Sequence, residues 1–238
     1  MKKIKFLINY ALNTKKALDI ALDRYTKGKK EYIVFGTTHE RMFKNKIYNI
    51  QVVKNLIDNI KPDLVIFEAS KDVYKKNNLI DGRIDMQYIY SYCLEKEIIY
   101  TMMDSINLDG SIYPNETNMI RDKQMFANMK TEKYETSGLE KVLVFTGIYH
   151  KISFDEIFKD HGYKIDKNFN KNIMYENKSE VKYNKYLFNS LNKKIKYIDN
   201  VIDKKINNIE NIKCKDAWIK YFLNEKQYIQ NFVEKNKK

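Results

Sequence analysis

Cysteine, proline, histidine and glycine are all scarce in this chain, with two, two, three and seven copies among 238 residues. The two cysteines, Cys93 and Cys214, stand far apart in unrelated contexts, which excludes a disulfide framework and a thiolate metal site and favours a reducing compartment. No run approaches the roughly 18 apolar residues a membrane span needs. The apolar start of the chain is broken by Lys5, Asn9 and Asn13 and is followed by no small-residue cleavage site, so a cytoplasmic location is expected. The chain shows no internal repeat and no low-complexity linker. Hydrophobic residues (43%) and aromatics (13%) are plentiful enough for a large core. Positive charge is in excess, 44 Lys+Arg against 31 Asp+Glu, a formal net charge of +13. That balance suits an anionic partner such as a nucleic acid. A lysine-rich composition accounts for it better, since the lysines are spread along the chain rather than gathered in a block.

Hydrophobic patterning predicts a helix over residues 3–25, with Leu18, Ala21 and Leu22 on one face, and a turn at Thr26 to Lys30. Four short, continuous β-branched and aromatic runs then follow: Glu31 to Phe35, Leu64 to Phe67, Ile98 to Met103 and Val142 to Phe145. They read as buried parallel strands. Between them lie helical patterns at about 47–60, 85–96, 117–130 and 154–161, with a loop at 105–116 and a return turn or edge strand at 162–165. This rhythm predicts an α/β fold, a mostly parallel sheet with crossover helices. From Leu187 to Ile209 apolar residues step by 4, 4, 3, 4, 4 and 3. A last amphipathic segment carries Trp218, Phe222, Ile229 and Phe232. These predict a C-terminal helical hairpin packed on the sheet, or a stripe that forms a homodimer. The expected division is a site-bearing α/β domain over 1–170 and a helical extension over 171–238.

Two of the three histidines stand three residues after a glycine, in Gly36-Thr37-Thr38-His39 and Gly147-Ile148-Tyr149-His150, and each motif follows a predicted buried strand. Glu68 and Asp104 end the other two strands. Ligands of parallel sheets bind beyond the carboxyl ends of the strands, so these four polar side chains are expected at one sheet edge. Imidazole with carboxylate suits a divalent metal or general acid–base catalysis. Asp104 alternatively caps its turn, Arg121 alternatively forms a structural ion pair with Asp122, and Tyr149 lines the pocket or joins the core. His161 reads as a helix-end residue.

The ordered set of Gly36 to Glu40, Glu68, Arg121-Asp122-Lys123-Gln124-Met125 and Gly147 to His150 with Gly162-Tyr163 resembles one superfamily. It includes the TraB pheromone-shutdown proteins, the Tiki metalloproteases, the ChaN-type haem-binding lipoproteins and the erythromycin esterases. The resemblance covers about residues 31–167; the tail after residue 170 matches no region of it. It implies a metal-dependent hydrolase, peptidase- or esterase-like. His39, Glu68 and His150 would then hold manganese, cobalt or zinc. Arg121 would stabilise the oxyanion, and Glu40 or Asp104 would act as base on a peptide or small-molecule substrate. A metal-free form would use His39 as the base. A non-catalytic, haem-like ligand binder and a basic nucleic-acid-binding protein are the alternatives.

Overall fold

The fold is that of a computed structural model, which describes residues 20–46, 48–104, 119–130, 138–176 and 180–236. It is α/β. The strands are β1 (Leu22–Lys27), β2 (Lys30–Thr37), β3 (Leu64–Ser70), β4 (Tyr100–Asp104), β5 (Lys141–Gly147) and β6 (Lys164–Ile165). The helices are α1 (Ile50–Ile60), α2 (Lys71–Asn77), α3 (Ile84–Glu95), α4 (Met119–Met129), α5 (Ile148–Asp160), α6 (Lys185–Lys204) and α7 (Ile212–Asn236). The six strands form one sheet in the order β4-β3-β5-β2-β1-β6. The four from β4 to β2 are parallel, while β1 pairs antiparallel with both β2 and β6.

This order creates a switch. From β2 the chain moves out to β3 and β4, then returns to insert β5 between β3 and β2. The carboxyl ends of all four parallel strands therefore face one crevice, where the residues that follow them meet. The parallel strands are apolar on both sides because both sides are covered. Ile33, Phe35, Val65, Phe67 and Leu143 face α1, α3 and the C-terminal helices. Val34, Leu64, Ile66 and Val144 face Met125 and Phe126 of α4 and Phe154 and Phe158 of α5.

Several expectations are corrected. Only Ile20 and Ala21 of the predicted first helix are helical among the described residues; Leu22–Lys27 is a strand, and residues 1–19 lie outside the description. Lys27 and Lys30 pair across a two-residue turn that Gly28 closes at φ 62°, so hairpin pairing overrides local helical periodicity. β3 runs past Glu68 to Ser70, whose hydroxyl accepts from the Val73 amide (3.2 Å) and caps the unpredicted helix α2. Helix α5 begins at Ile148, not Phe154, and the C-terminal stripe is interrupted after Lys204. The expected loop at 105–116 lies outside the described residues.

Helices α6 and α7 form the predicted hairpin. Leu187, Leu191, Ile198 and Ile206 of the stripe are buried in the same apolar cluster as α1, α3 and one sheet face. The stripe is thus covered within the chain. No described helix is long and apolar enough to cross a membrane.

Candidate active site

The two Gly-x-x-His motifs make room for each other. A Cβ at Gly36 would lie 2.8 Å from the Ile148 Cα, so only glycine lets the start of α5 pass this close to β2. A Cβ at Gly147 would lie 3.1 Å from His39 Nε2, 3.4 Å from Glu68 Oε2 and 3.5 Å from the His150 ring. The space left by Gly147 is therefore where His39, Glu68 and His150 converge, as the strand-end reading predicts.

His39 opens a short 3₁₀ turn after β2 with φ 52°, a left-handed backbone uncommon outside glycine and concentrated at functional positions. Its Nδ1 faces the Asp85 carboxylate of α3 at 3.2 Å. Asp85 is fully buried, while the His39 side chain is 30% exposed, so one ring nitrogen is held and the ring still reaches solvent. Burial alone would lower the His39 pKa; Asp85 and then Glu68 outweigh it and hold it above the ordinary imidazole value.

Glu68 is aimed by a bulge. Between Phe67 and Ser70, β3 spends three steps against two on β4, which bends the strand at Glu68. Its Oε2 accepts from the Gly147 amide (2.7 Å) and the Thr146 hydroxyl (2.9 Å), placing a carboxylate at the N-terminus of α5 where the helix dipole favours it. Its Oε1 accepts from Arg121 (3.1 Å). Burial would raise the Glu68 carboxyl, but His150, Arg121 and His39 hold it well below the usual carboxylate range.

His150, in the first turn of α5, places Nδ1 2.5 Å from the buried Asp122 and Nε2 3.4 Å from Glu68. Burial opposes its charge, but Glu68 and Asp122 prevail and push its pKa up to about 10. Arg121 joins the cluster: it donates to both oxygens of Asp104 (3.1 and 2.5 Å) and lies 3.1 Å from His150 Nε2. Asp104 is thus the carboxylate that fixes Arg121. Asp122 serves His150 rather than Arg121. Glu40 forms an ion pair with Arg83 (2.8 Å). Tyr149 is exposed, outside the core. His161 ends α5 with Nδ1 2.8 Å from the Ile157 carbonyl, as a helix-end residue. A cleft of about 520 Å³ between α4 and α5, lined by Lys123, Phe126 and His161, holds none of these site residues.

His39 and His150 each have Nδ1 on a buried aspartate, a support found behind general bases and behind metal-bound imidazoles alike. The residues do not fit a divalent ion as they stand. The Arg121 guanidinium lies 3.1 Å from both His150 and Glu68, where it would repel a metal held between them. Among the described residues no group of three or more His, Cys, Asp or Glu side chains is arranged to hold one.

Asp85, Thr146 and Arg83 escaped the sequence reading. Asp85 left a trace: it is the one carboxylate in the first turn of a helix otherwise buried nearly all round.

No family model, curated protein or solved structure matches this chain.

Proposed function

We propose that the chain is a hydrolase of the esterase or peptidase type, working by acid–base catalysis on the resemblance to the erythromycin-esterase branch of the superfamily. The observation that carries this is His39: its Nδ1 is on a fully buried aspartate while its side chain remains accessible. With Nδ1–H donating to Asp85, Nε2 accepts a proton from water, and the hydroxide formed attacks a substrate carbonyl. The Arg121 guanidinium, fixed by Asp104 and always charged, stabilises the oxyanion. His150, held protonated between Asp122 and Glu68, gives its own proton to the leaving group, and exchange with solvent then removes the proton gained by His39 and restores that of His150. Glu68 stays an anion and holds this acid in place.

The test is a panel of nitrophenyl esters and aminopeptidase reporters on wild type, His39→Ala and Asp85→Asn, with metal analysis of the same preparations. The base reading expects turnover that rises with pH through a pKa above 6.5, is lost in His39→Ala, and has its acid limb moved to lower pH in Asp85→Asn. Stoichiometric metal lost in a His39→Ala/His150→Ala variant would replace this reading with metal-assisted hydrolysis. Absence of turnover with ligand retained would point to a binding protein.

A further inference from the structure

The buried face of α6 is apolar at Leu187, Leu191, Ile198 and Val201 but polar at Ser190 and Lys194, one turn apart. A charge on such a stripe is expensive to bury unless it is paired and hydrogen-bonded. Lys194 is both. It lies 3.5 Å from the buried Glu225 of α7. It also donates to the Asp81 carbonyl and, at 3.5 Å, to the Gly82 carbonyl. Ser190 acts through Gln87 of α3. Its hydroxyl donates to Gln87 Oε1, and Gln87 Nε2 donates to the carbonyls of Ile80 (2.5 Å) and Gly82 (2.9 Å). The hairpin thus grips three consecutive carbonyls, 80 to 82, just ahead of α3.

That segment meets the site on two sides. Toward β3, Asp81 Oδ1 accepts from the Ser70 amide (2.7 Å), and a Cβ at Gly82 would lie 2.7 Å from the Glu68 carbonyl oxygen, so the segment packs on the bulge that aims Glu68. Toward β2 it runs into the start of α3, where Arg83 and Asp85 hold two consecutive residues. Arg83 pairs with Glu40 at 2.8 Å, and Asp85 faces His39 Nδ1 at 3.2 Å. Tyr228 of α7 adds a tie to the same turn, its hydroxyl donating to the Glu40 carbonyl at 3.2 Å. Packing alone does not call for a buried ion pair, because apolar residues of like volume often stabilise a core as well or better. An ammonium fixes the positions of carbonyls, which a methyl group does not.

We propose that Ser190 and Lys194 of the C-terminal hairpin are positioning residues of the site: by fixing the 80–82 carbonyls they set where α3 starts, and so hold the Asp85 carboxylate on His39 Nδ1. The catalytic consequence rests on the hydrolase reading above; the placement of His39 does not. The hairpin, which the resemblance over residues 31–167 does not cover, then belongs to the site and not only to the core.

The test is the tautomer of the neutral His39 ring, read from nitrogen–proton NMR correlations of the full-length protein. The partner of one ring nitrogen decides which nitrogen carries the proton. The wild-type ring should be almost wholly Nδ1–H; a ring protonated on Nε2 would overturn the proposal and the base reading together. Lys194→Met/Glu225→Met removes both charges at similar volume, an exchange that cores tolerate. In this variant roughly a third or more of the His39 ring should pass to the Nε2–H form. His161, held by the Ile157 carbonyl at the end of α5, should keep its spectrum. An unchanged His39 tautomer in the folded variant would overturn the proposal. Should the variant not fold, Ser190→Ala decides, since it deletes one hydroxyl and leaves the ion pair in place: a smaller shift toward Nε2–H upholds the proposal, and an unmoved ring overturns it. Where a reporter is turned over, kcat should fall about tenfold or more with KM within about twofold. A shifted tautomer with unchanged kcat upholds the positioning and removes His39 from the chemistry. If wild type turns over no reporter, the hydrolase reading fails, and the tautomer alone decides the positioning.

Discussion

Replacing the two motif glycines by alanine should separate their roles. At Gly36 the added methyl would lie 2.6 Å from Ile148 Cδ1 and 2.8 Å from Ile148 Cα. The first atom can rotate away. The second is backbone, so relief requires moving the start of α5 off β2. Overpacking of this kind costs about 1–3 kcal/mol, which in a chain of this size lowers the melting temperature by roughly 2–12 °C. At Gly147 the backbone (φ −60°, ψ 143°) suits alanine, and the nearest atoms are side-chain groups of His39, Glu68 and His150 at 3.1–3.5 Å. The gain from a stiffer unfolded chain, about 0.4–1 kcal/mol, is opposed by the poorer helix cap, so stability should change by about 1 kcal/mol or less. The methyl nevertheless occupies the space that the His39 ring faces. Thermal unfolding, together with the pH titration of the His39 ring protons by NMR, reads both effects. Gly36→Ala should melt lower with a less ordered protein, while Gly147→Ala should melt normally with a displaced His39 titration and turnover lost by tenfold or more. Equal melting losses in the two variants, or an unmoved His39 in Gly147→Ala, would refute the reciprocal packing of the motifs.

Two further expectations concern stability. The pKa of His150 is raised to about 10 in the folded chain, so its contribution is complete below the unfolded value of about 6.5 and is lost as pH rises through about 10. Wild type should lose on the order of a few kcal/mol between pH 7 and 10.5, measured by urea unfolding, and His150→Gln should show a visibly flatter profile; parallel profiles would contradict the buried Asp122–His150–Glu68 arrangement. Ile198 is fully buried in the apolar cluster shared by the hairpin and the sheet domain. Ile198→Asp should therefore cost more than about 3 kcal/mol and leave the sedimentation mass of the folded fraction unchanged; a stable, folded variant of half the wild-type mass would instead place the stripe between two copies.

Local patterns in the sequence determined the four parallel strands, the longer helices between them, the hairpin, and the placement of His39, Glu68 and His150 at one sheet edge. A buried parallel strand needs an unbroken apolar run and a helix needs 3.6-residue spacing, and both signals lie within about ten residues. Glycine followed by histidine after two such strands was enough to mark the crevice. What only the tertiary structure decided is who pairs with whom. β1 is a strand because β2 and β6 pair with it, whatever its own periodicity. Asp104 holds Arg121, Asp122 holds His150, and Asp85 holds His39 because β5 inserts between β2 and β3 and brings α3, α4 and α5 to the same edge. Helix α7 lies against the turn after β2 because the Tyr228 hydroxyl donates to the Glu40 carbonyl. Such pairings depend on strand order and helix placement, distances that no local window of sequence contains. For the same reason the charges of the site, and so the chemistry of its histidines, became readable only once the chain was folded.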